Sequence, residues 1–401
     1  MDAAAVFDPW SPEFVADPYP AYAELREAGR AHWYGPTRQW LVPHHEDVSA
    51  LLRDRRLGRT YTHRFTHEEF GRPAPDPLHE PFHTLNDHGL LDLEGADHTR
   101  IRRLVSKAFT PRTVERLAPT VRELAAGLVG ELVAAGGGDL QAAVAEPLPV
   151  AVIAAMLGVP EEDEERAMLR PWSAAICGMF ELNPSEETAR RAVAASIEFS
   201  GYLRELIARR RADPGDDLIS ALIGVEELTE QEMISTCVLL LNAGHEATVN
   251  TTVGGVRTLL AHGEWPALAL APEKLSTAVD ELLRYDTPLQ MFERWVLDDI
   301  EVGGTVIPRG SEVALLFGSA NRDPARFGPT ADTLDLTRAD NPHVTFGAGI
   351  HYCLGAPLAR LELAAVFGEL LHRAPALRLA ADPVRTPGYV IRGFDALLVE
   401  V

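Results

Sequence analysis

Eight stretches of this chain carry apolar residues at spacings near three and four: residues 20–29, 97–109, 112–135, 141–157, 186–211, 229–261, 272–285 and 356–373. That period marks amphipathic helices, and so many of them must pack against one another to hide their apolar faces. Alternating, strand-like segments are fewer and shorter. They are residues 39–42, then 295–297, 300–302, 305–307 and 312–316 around a Gly303-Gly304 turn, and finally 397–401. The expected fold class is therefore mainly α with small β-sheets (α+β). No repeat, low-complexity linker or shift in composition divides the chain, so residues 1–401 are expected to form a single domain. Residues 61–91, with four prolines and several histidines, read as an irregular loop of functional interest. The acidic run from Glu161 to Glu165, which follows Pro160, reads as a solvated helix start.

Charge narrows the functional classes. There are 37 basic and 59 acidic residues, a formal net charge of −22. Binding to a nucleic-acid backbone needs clustered Lys and Arg, so nucleic acid is not an expected partner. No stretch has the unbroken apolar length of a membrane span, and no membrane partner is expected. The first residues, with Asp2 and Asp8, lack the basic start and apolar run of a signal peptide, so a cytoplasmic location is expected. The three cysteines, Cys177, Cys237 and Cys353, include no C-x-x-C pair, which argues against a disulfide framework or zinc ribbon. His63/His67 and His79/His83 have zinc-like spacing but lie in the Pro-rich segment without an H-E-x-x-H pattern, so they are read as loop or pocket wall.

The stretch from Thr229 opens with a capping box, Thr229 with Glu232, and continues through Val238-Leu239-Leu240-Leu241, apolar on every side. It then turns polar in Asn242-Ala243-Gly244-His245-Glu246-Ala247-Thr248. Two readings stay open: a helix that ends near Gly244, or a buried helix with a local irregularity lining a polar pocket.

The sharpest segment is Phe346-Gly347-Ala348-Gly349-Ile350-His351-Tyr352-Cys353-Leu354-Gly355. Glycines flank the cysteine, and an amphipathic helix follows directly. A cysteine at a helix start meets free backbone N–H groups and the positive end of the dipole, which favour thiolate. A lone thiolate without other cysteine or histidine ligands suits the proximal side of a haem, whereas an isolated Cys–Gly turn more commonly holds an inert buried thiol.

This segment resembles the haem-binding loop of the cytochrome P-450 superfamily, F-x-x-G-x-H-x-C-x-G, and its continuation Ala356-Pro357-Leu358-Ala359-Arg360-Leu361-Glu362 is similar to that of soluble bacterial members. Other motifs follow suit. Glu281-Leu282-Leu283-Arg284 resembles E-x-x-R, a buried structural pair in the family. Asp97-His98-Thr99-Arg100-Ile101-Arg102 resembles the H-x-x-x-R helix. Ala243-Gly244-His245-Glu246-Ala247-Thr248 resembles the oxygen-activation helix A-G-x-[D/E]-T.

The resemblance implies the P-450 fold, with helices surrounding a buried haem b (iron protoporphyrin IX) whose iron is bound by Cys353. It further implies that His98, Arg102, Arg294 and His351 meet the haem propionates, and that Phe346, Gly347, Gly355, Ala243 and Gly244 border the cofactor. The implied activity is a haem-thiolate monooxygenase that inserts one oxygen atom from O2 into a small organic substrate. Electrons would come from NAD(P)H through a ferredoxin reductase and a ferredoxin-type donor. The basic residues Arg102, Arg103, Lys107, Arg112 and Arg360 would offer that acidic donor a docking face. Residues 61–91, 172–180, 239–243, 289–292 and 391–394 would surround the substrate. Alternatives are a peroxide-driven or oxidative-coupling enzyme, a haem sensor, and a recruitment module that has lost its cofactor.

Two departures stand out. Glu246 supplies the acid of the oxygen-activation helix, but Ala247 occupies the alcohol position and Thr248 comes one residue late. One residue is about 100° around a helix, so Thr248 cannot simply replace that hydroxyl. A substrate hydroxyl or ordered water, a Thr248 admitted by a local irregularity, or a chemistry needing fewer protons would each answer the gap. Thr333-Leu334 stand where many relatives carry Arg-Phe, and Arg338 is the candidate for the missing cation.

Overall fold

The computed structural model describes residues 3–162 and 164–401. Eleven of its helices organise the account: α1 (Tyr19–Ala28), α2 (His45–Leu51), α3 (Glu80–Asp87), α4 (Gly95–Val105), α5 (Pro111–Ala134), α6 (Pro147–Leu157), α7 (Leu169–Cys177), α8 (Glu186–Ala212), α9 (Glu230–Ala261), α10 (Leu275–Tyr285) and α11 (Ala356–Arg373). The strands are β1 (His32–Tyr34), β2 (Gln39–Val42), β3 (Leu57–Gly58), β4 (Gly137–Asp139), β5 (Phe292–Val296), β6 (Ile300–Val302), β7 (Thr305–Ile307), β8 (Glu312–Leu315), β9 (Arg378–Leu379) and β10 (Leu398–Glu400).

The centre of the helical layer is α9. Thr229 caps it, accepting from the Glu232 amide at 3.2 Å, while Glu232 returns the bond to the Thr229 amide at 2.9 Å. With its start secured and its middle apolar all round, α9 is packed by α6, α7 and α11 within the largest core cluster. The α9–α11 crossing is close: a Cβ at Gly255 would stand 2.6 Å from Phe367 Cζ. Helix α11 also packs along α5, so the helix that follows Cys353 is held on two sides.

The main sheet runs β1-β2-β8-β5-β3, with β2 and β8 parallel and the other pairs antiparallel. The Arg294↔Val313 register places Arg294 inside the sheet rather than at its edge. Two small sheets, β4-β10-β9 and β6-β7, complete the β content.

Several expectations change. Residues 61–91 are not simply a loop. They hold a short helix His67–Phe70, a 3-10 turn Pro77–His79 and α3. Pro77 and Pro81 occupy first-turn positions, where a missing N–H costs nothing, and Phe82 and Leu85 are buried. The helix read at 97–109 ends at Val105 and tightens to a 3-10 turn, Ser106–Phe109. Helix α9 runs past Gly244 to Ala261, so it does not end there; burial on three sides outweighs the cost of one glycine, about 1 kcal/mol. Of the acidic run, Glu161 and Glu162 are exposed in a turn, Glu164 opens a 3-10 turn, and Asp163 lies outside the described residues. Among the described residues, no helix is long and apolar enough to cross a membrane.

Candidate active site

The Cys353 loop is built by backbone geometry. The Cys353 amide donates to the Phe346 carbonyl at 2.8 Å, and the Gly347 amide to that of Val344 at 2.7 Å. Gly347 and Gly349 have φ of 67° and 70°, the left-handed region that favours glycine. At Gly349 the packing adds a second requirement, because a Cβ there would lie 2.4 Å from the Leu52 carbonyl oxygen, just past α2. The loop is thus pressed onto the β-rich half of the molecule while its far end starts α11.

Burial pushes the Cys353 thiol up, but the Gly355 amide, the Arg102 guanidinium, the Ala356 amide and the Arg360 guanidinium all pull it back down. The helix-start environment expected from the sequence is therefore present, with burial acting against it. A bound cation would supply the remaining stabilisation of thiolate. Arg102 donates to the Tyr352 carbonyl at 2.6 Å, beside the thiol, and its charge also reaches His98, where it helps to hold that imidazole's pKa down.

A second group of side chains converges nearby. The rings of His98 and His351 lie 4.5 Å apart, and His351 Nε2 is 2.9 Å from Glu94 Oε1. Glu94 also accepts from the Arg59 amide at 2.8 Å, and the Arg59 guanidinium pairs with Asp92 at 3.0 Å. Arg294 is buried, donates only to the Glu293 carbonyl at 2.8 Å and stacks on Phe292. Burial, then the neighbouring Arg59 charge, hold its pKa down to about 9. His98 is held down to about 4, first by burial and then by the His351 ring. Sequence reasoning missed Arg59 and Glu94. Their only signal is position, Glu94 lying just before the H-x-x-x-R helix.

This cluster fits the anionic edge of a haem. His98 Nε2 is buried without a hydrogen-bond partner. Among the described residues, no carboxylate comes within ion-pair distance of Arg294. A buried cation and a buried unpaired imidazole nitrogen each carry a cost that a propionate would remove.

On α9, Ala243 is exposed although the helix passes through the core, and Leu239, Leu240 and Ala247 are half-buried. These residues share one face, which therefore fronts an open space. Thr248 is buried beside that face, and its carbonyl accepts from Thr252 Oγ1 at 2.9 Å. In a regular helix it stays off the Ala243–Ala247 face. Apolar side chains from the other expected substrate segments are also half-buried, including Phe180, Leu289, Phe292 and Ile391. Glu181 ties two of these segments together, its carboxylate accepting from the amides of Tyr389, Val390 and Ile391 at 2.9, 3.0 and 2.8 Å.

Behind the loop, Glu281 and Arg284 are fully buried and bidentate at 2.7 and 2.8 Å. Arg338 Nε completes the group, 3.1 Å from Glu281 Oε2, and so fills the place of the cation missing at 333.

Residues 274–374, which contain both this buried group and the Cys353 loop, match the family model Cytochrome P450. Cytochrome P450 monooxygenase PikC of Streptomyces venezuelae is 39% identical over 400 residues, 96% of this chain and 91% of PikC. The chain belongs to the cytochrome P450 family. The 6-deoxyerythronolide B hydroxylase of Saccharopolyspora erythraea is 37% identical over 409 residues, covering 98% of each chain. Among solved structures, P450BioI in complex with an acyl carrier protein superposes with a TM-score of 0.91 at 35% identity, covering 98% of this chain and 100% of that one. The P450 fold is therefore shared throughout, and this P450 is a haem b enzyme, a haem-thiolate monooxygenase that takes a small substrate, O2 and a redox partner.

Proposed function

We propose that this P450 hydroxylates an apolar, oxygen-bearing natural product of the polyketide type, and that Cys353 is the residue that would hold the haem iron. Haem supplies dioxygen binding and oxygen-atom transfer when bound. The chain's own residues do the rest. Cys353 Sγ is cradled by the Gly355 and Ala356 amides, and Arg102 holds the loop through Tyr352. When haem is bound, His98, Arg102, His351 and Arg294 would hold its propionates. Phe346, Gly347, Gly355, Ala243 and Gly244 would border the ring.

The observation that carries the proposal is the bare Ala243–Ala247 face with Glu246 beside it. Between Ala243 and Ala247 that face carries no side-chain hydroxyl: Thr248 is turned into the core, and Thr251, one turn beyond, commits its hydroxyl to the Ala247 carbonyl at 2.7 Å. A hydroxyl of the substrate, or a water it holds, completes the proton path from Glu246. PksS of Bacillus subtilis, a relative named for polyketide biosynthesis, supports a substrate of the polyketide type.

Electrons arrive from NAD(P)H through a ferredoxin reductase and a ferredoxin. On the basic face, Arg103 is paired with Glu227 at 2.7 Å and Arg360 with Asp280 at 2.8 Å, while Lys107 and Arg112 are exposed. Partial neutralisation predicts a modest, salt-sensitive docking.

The test begins with the reduced, carbon monoxide-bound spectrum of the purified protein, where a red-shifted Soret band marks thiolate ligation and C353H loses it. A screen for polyketides that displace the iron-bound water follows. Turnover should then require a hydroxyl-bearing substrate. Equal coupling with the matching deoxy compound would refute the substrate's part in the proton path.

A further inference from the structure

The alcohol side of the proton path is bare, and the acid side holds an unusual neighbour. His245 precedes Glu246 on α9 and is only 2% exposed. Neither ring nitrogen has a hydrogen-bond partner. Its Nδ1 lies 3.4 Å from Glu246 Oε1, within ion-pair range but not aligned as a hydrogen bond. Among the described residues, no other basic side chain comes within ion-pair distance of Glu246.

Helix geometry separates the two sides. Ala247 faces the open space, Glu246 is turned about 100° from it, and His245 a further 100°. His245 therefore points away from the open space and Glu246 stands between the two. From α7, Cys177 approaches close enough that the Glu246 carboxylate adds to burial in raising its thiol pKa. From α6, Ile153 fills the space over Gly244. One turn before His245, Asn242 is 5% exposed and its Oδ1 also has no partner. Residues three apart are neighbours on a helix surface.

A buried imidazole with both nitrogens unpaired pays the full desolvation cost of each group left unsatisfied. An apolar side chain of similar size would avoid that cost. Buried polar atoms of this kind normally hold an ordered water, which needs two or more polar partners. His245 Nε2 and Asn242 Oδ1 provide two.

We infer that His245 is the positioning residue for Glu246. Its Nδ1–H holds the carboxylate between the core and the open face, and its Nε2 shares with Asn242 Oδ1 a water that fixes the ring. This rests on the role of Glu246 proposed above. It gives the acid a fixed orientation that Ala247 cannot provide from the other side.

The test compares H245F, H245N and E246Q as haem-loaded proteins. Crystal structures provide a readout independent of turnover. In the parent, an ordered water on His245 Nε2 and an Nδ1–Oε1 distance within hydrogen-bond range are expected. In H245F the Glu246 carboxylate should swing or lose order, while H245N, whose amide reaches the Nδ1 position, keeps it in place. With the substrate found in the spectral screen, product formed per NAD(P)H consumed should fall about tenfold in H245F, the low end of losses seen when an orienting partner is removed. H245N should retain most of it, and haem content and substrate-induced spectral shift should be unchanged.

No water on Nε2 in the parent, with Glu246 unmoved in H245F, overturns the inference. Unchanged coupling in H245F alongside lost coupling in E246Q overturns it too, while leaving the role of Glu246 intact. Unchanged coupling in E246Q removes both. Should H245F fail to fold, H245Q replaces it, since its amide reaches the Nε2 position only; equal coupling in H245Q and H245N then overturns the inference.

Discussion

Glu281 and Arg284, one turn apart on α10, meet at 2.7 Å with neither side chain exposed. Arg284 also donates to the carbonyls of Asn321 at 2.8 Å, Ala331 at 2.7 Å and Thr333 at 3.1 Å, so one guanidinium ties two further chain segments to α10 behind the Cys353 loop. Arg284→Ala would leave Glu281 charged and buried with Arg338 as its remaining cation, beside the Asp335 amide and the Asn341 side chain. The expected cost is about 3–5 kcal/mol, the usual penalty for breaking a buried pair. Arg338→Ala should cost less, because the bidentate partner remains. Chemical unfolding of both variants checks the order.

Gly349→Ala should loosen the Cys353 loop. The substitution meets both a positive φ and the Leu52 carbonyl oxygen at 2.4 Å, so the loop must leave α2 or the backbone must strain. Strain of this type costs roughly 1–3 kcal/mol. Lower haem occupancy with near-parental far-UV circular dichroism is expected.

Arg294→Met should have opposite effects on the two forms of the protein. Without haem it removes a buried cation that lacks a carboxylate partner, so the cofactor-free protein should gain stability. With haem it removes a charge-assisted hydrogen bond worth about 1.5–3 kcal/mol, so haem should be lost at least tenfold faster. Thermal unfolding of the stripped protein and haem transfer to an acceptor globin measure the two sides.

Glu362 on α11 is buried and its Oε2 has no partner; burial raises its pKa from 4.5 to about 8. The folded state therefore holds a proton that the unfolded state releases between those values. Its contribution to stability is fully present below pH 4.5 and falls as pH rises toward 8, by at most about 1.4 kcal/mol per pH unit. Glu362→Gln should flatten the decline in stability from pH 5 to 8, as measured by denaturant titration at each pH.

Glu181→Ala would strip three buried amides of their shared acceptor. Hydrogen exchange at residues 389–391 should quicken selectively, and substrate release should speed up with it, because the segment after α7 and the C-terminal pocket wall would no longer be tied.

Much of this protein is legible in its sequence because the determining forces are local. The capping box at Thr229 and Glu232 and the 3.6-residue period of α5, α8, α9 and α11 act within a turn or two. The Cys353 loop is legible for a similar reason: its glycines, cysteine and following helix are contiguous, and the E-x-x-R pair lies on one helix face. Helix α3 was not legible, because a proline such as Pro81 breaks helices in general and is harmless only at the first-turn position that packing of Phe82 and Leu85 selects.

The partners of long sequence separation were decided by the tertiary structure alone. Periodicity could not choose between a helix ending at Gly244 and one continuing; packing of α6, α7 and α11 around α9 chose continuation, and with it turned Thr248 into the core. Nothing near Glu94 or Arg59 announces that they meet His351 and Asp92. Arg338 was a candidate in the sequence, and its 3.1 Å approach to Glu281 exists only once the loop folds back on α10. Side-chain type and local spacing determine which chemistry the chain carries. Which buried charges face each other depends on distances that only the packed core sets.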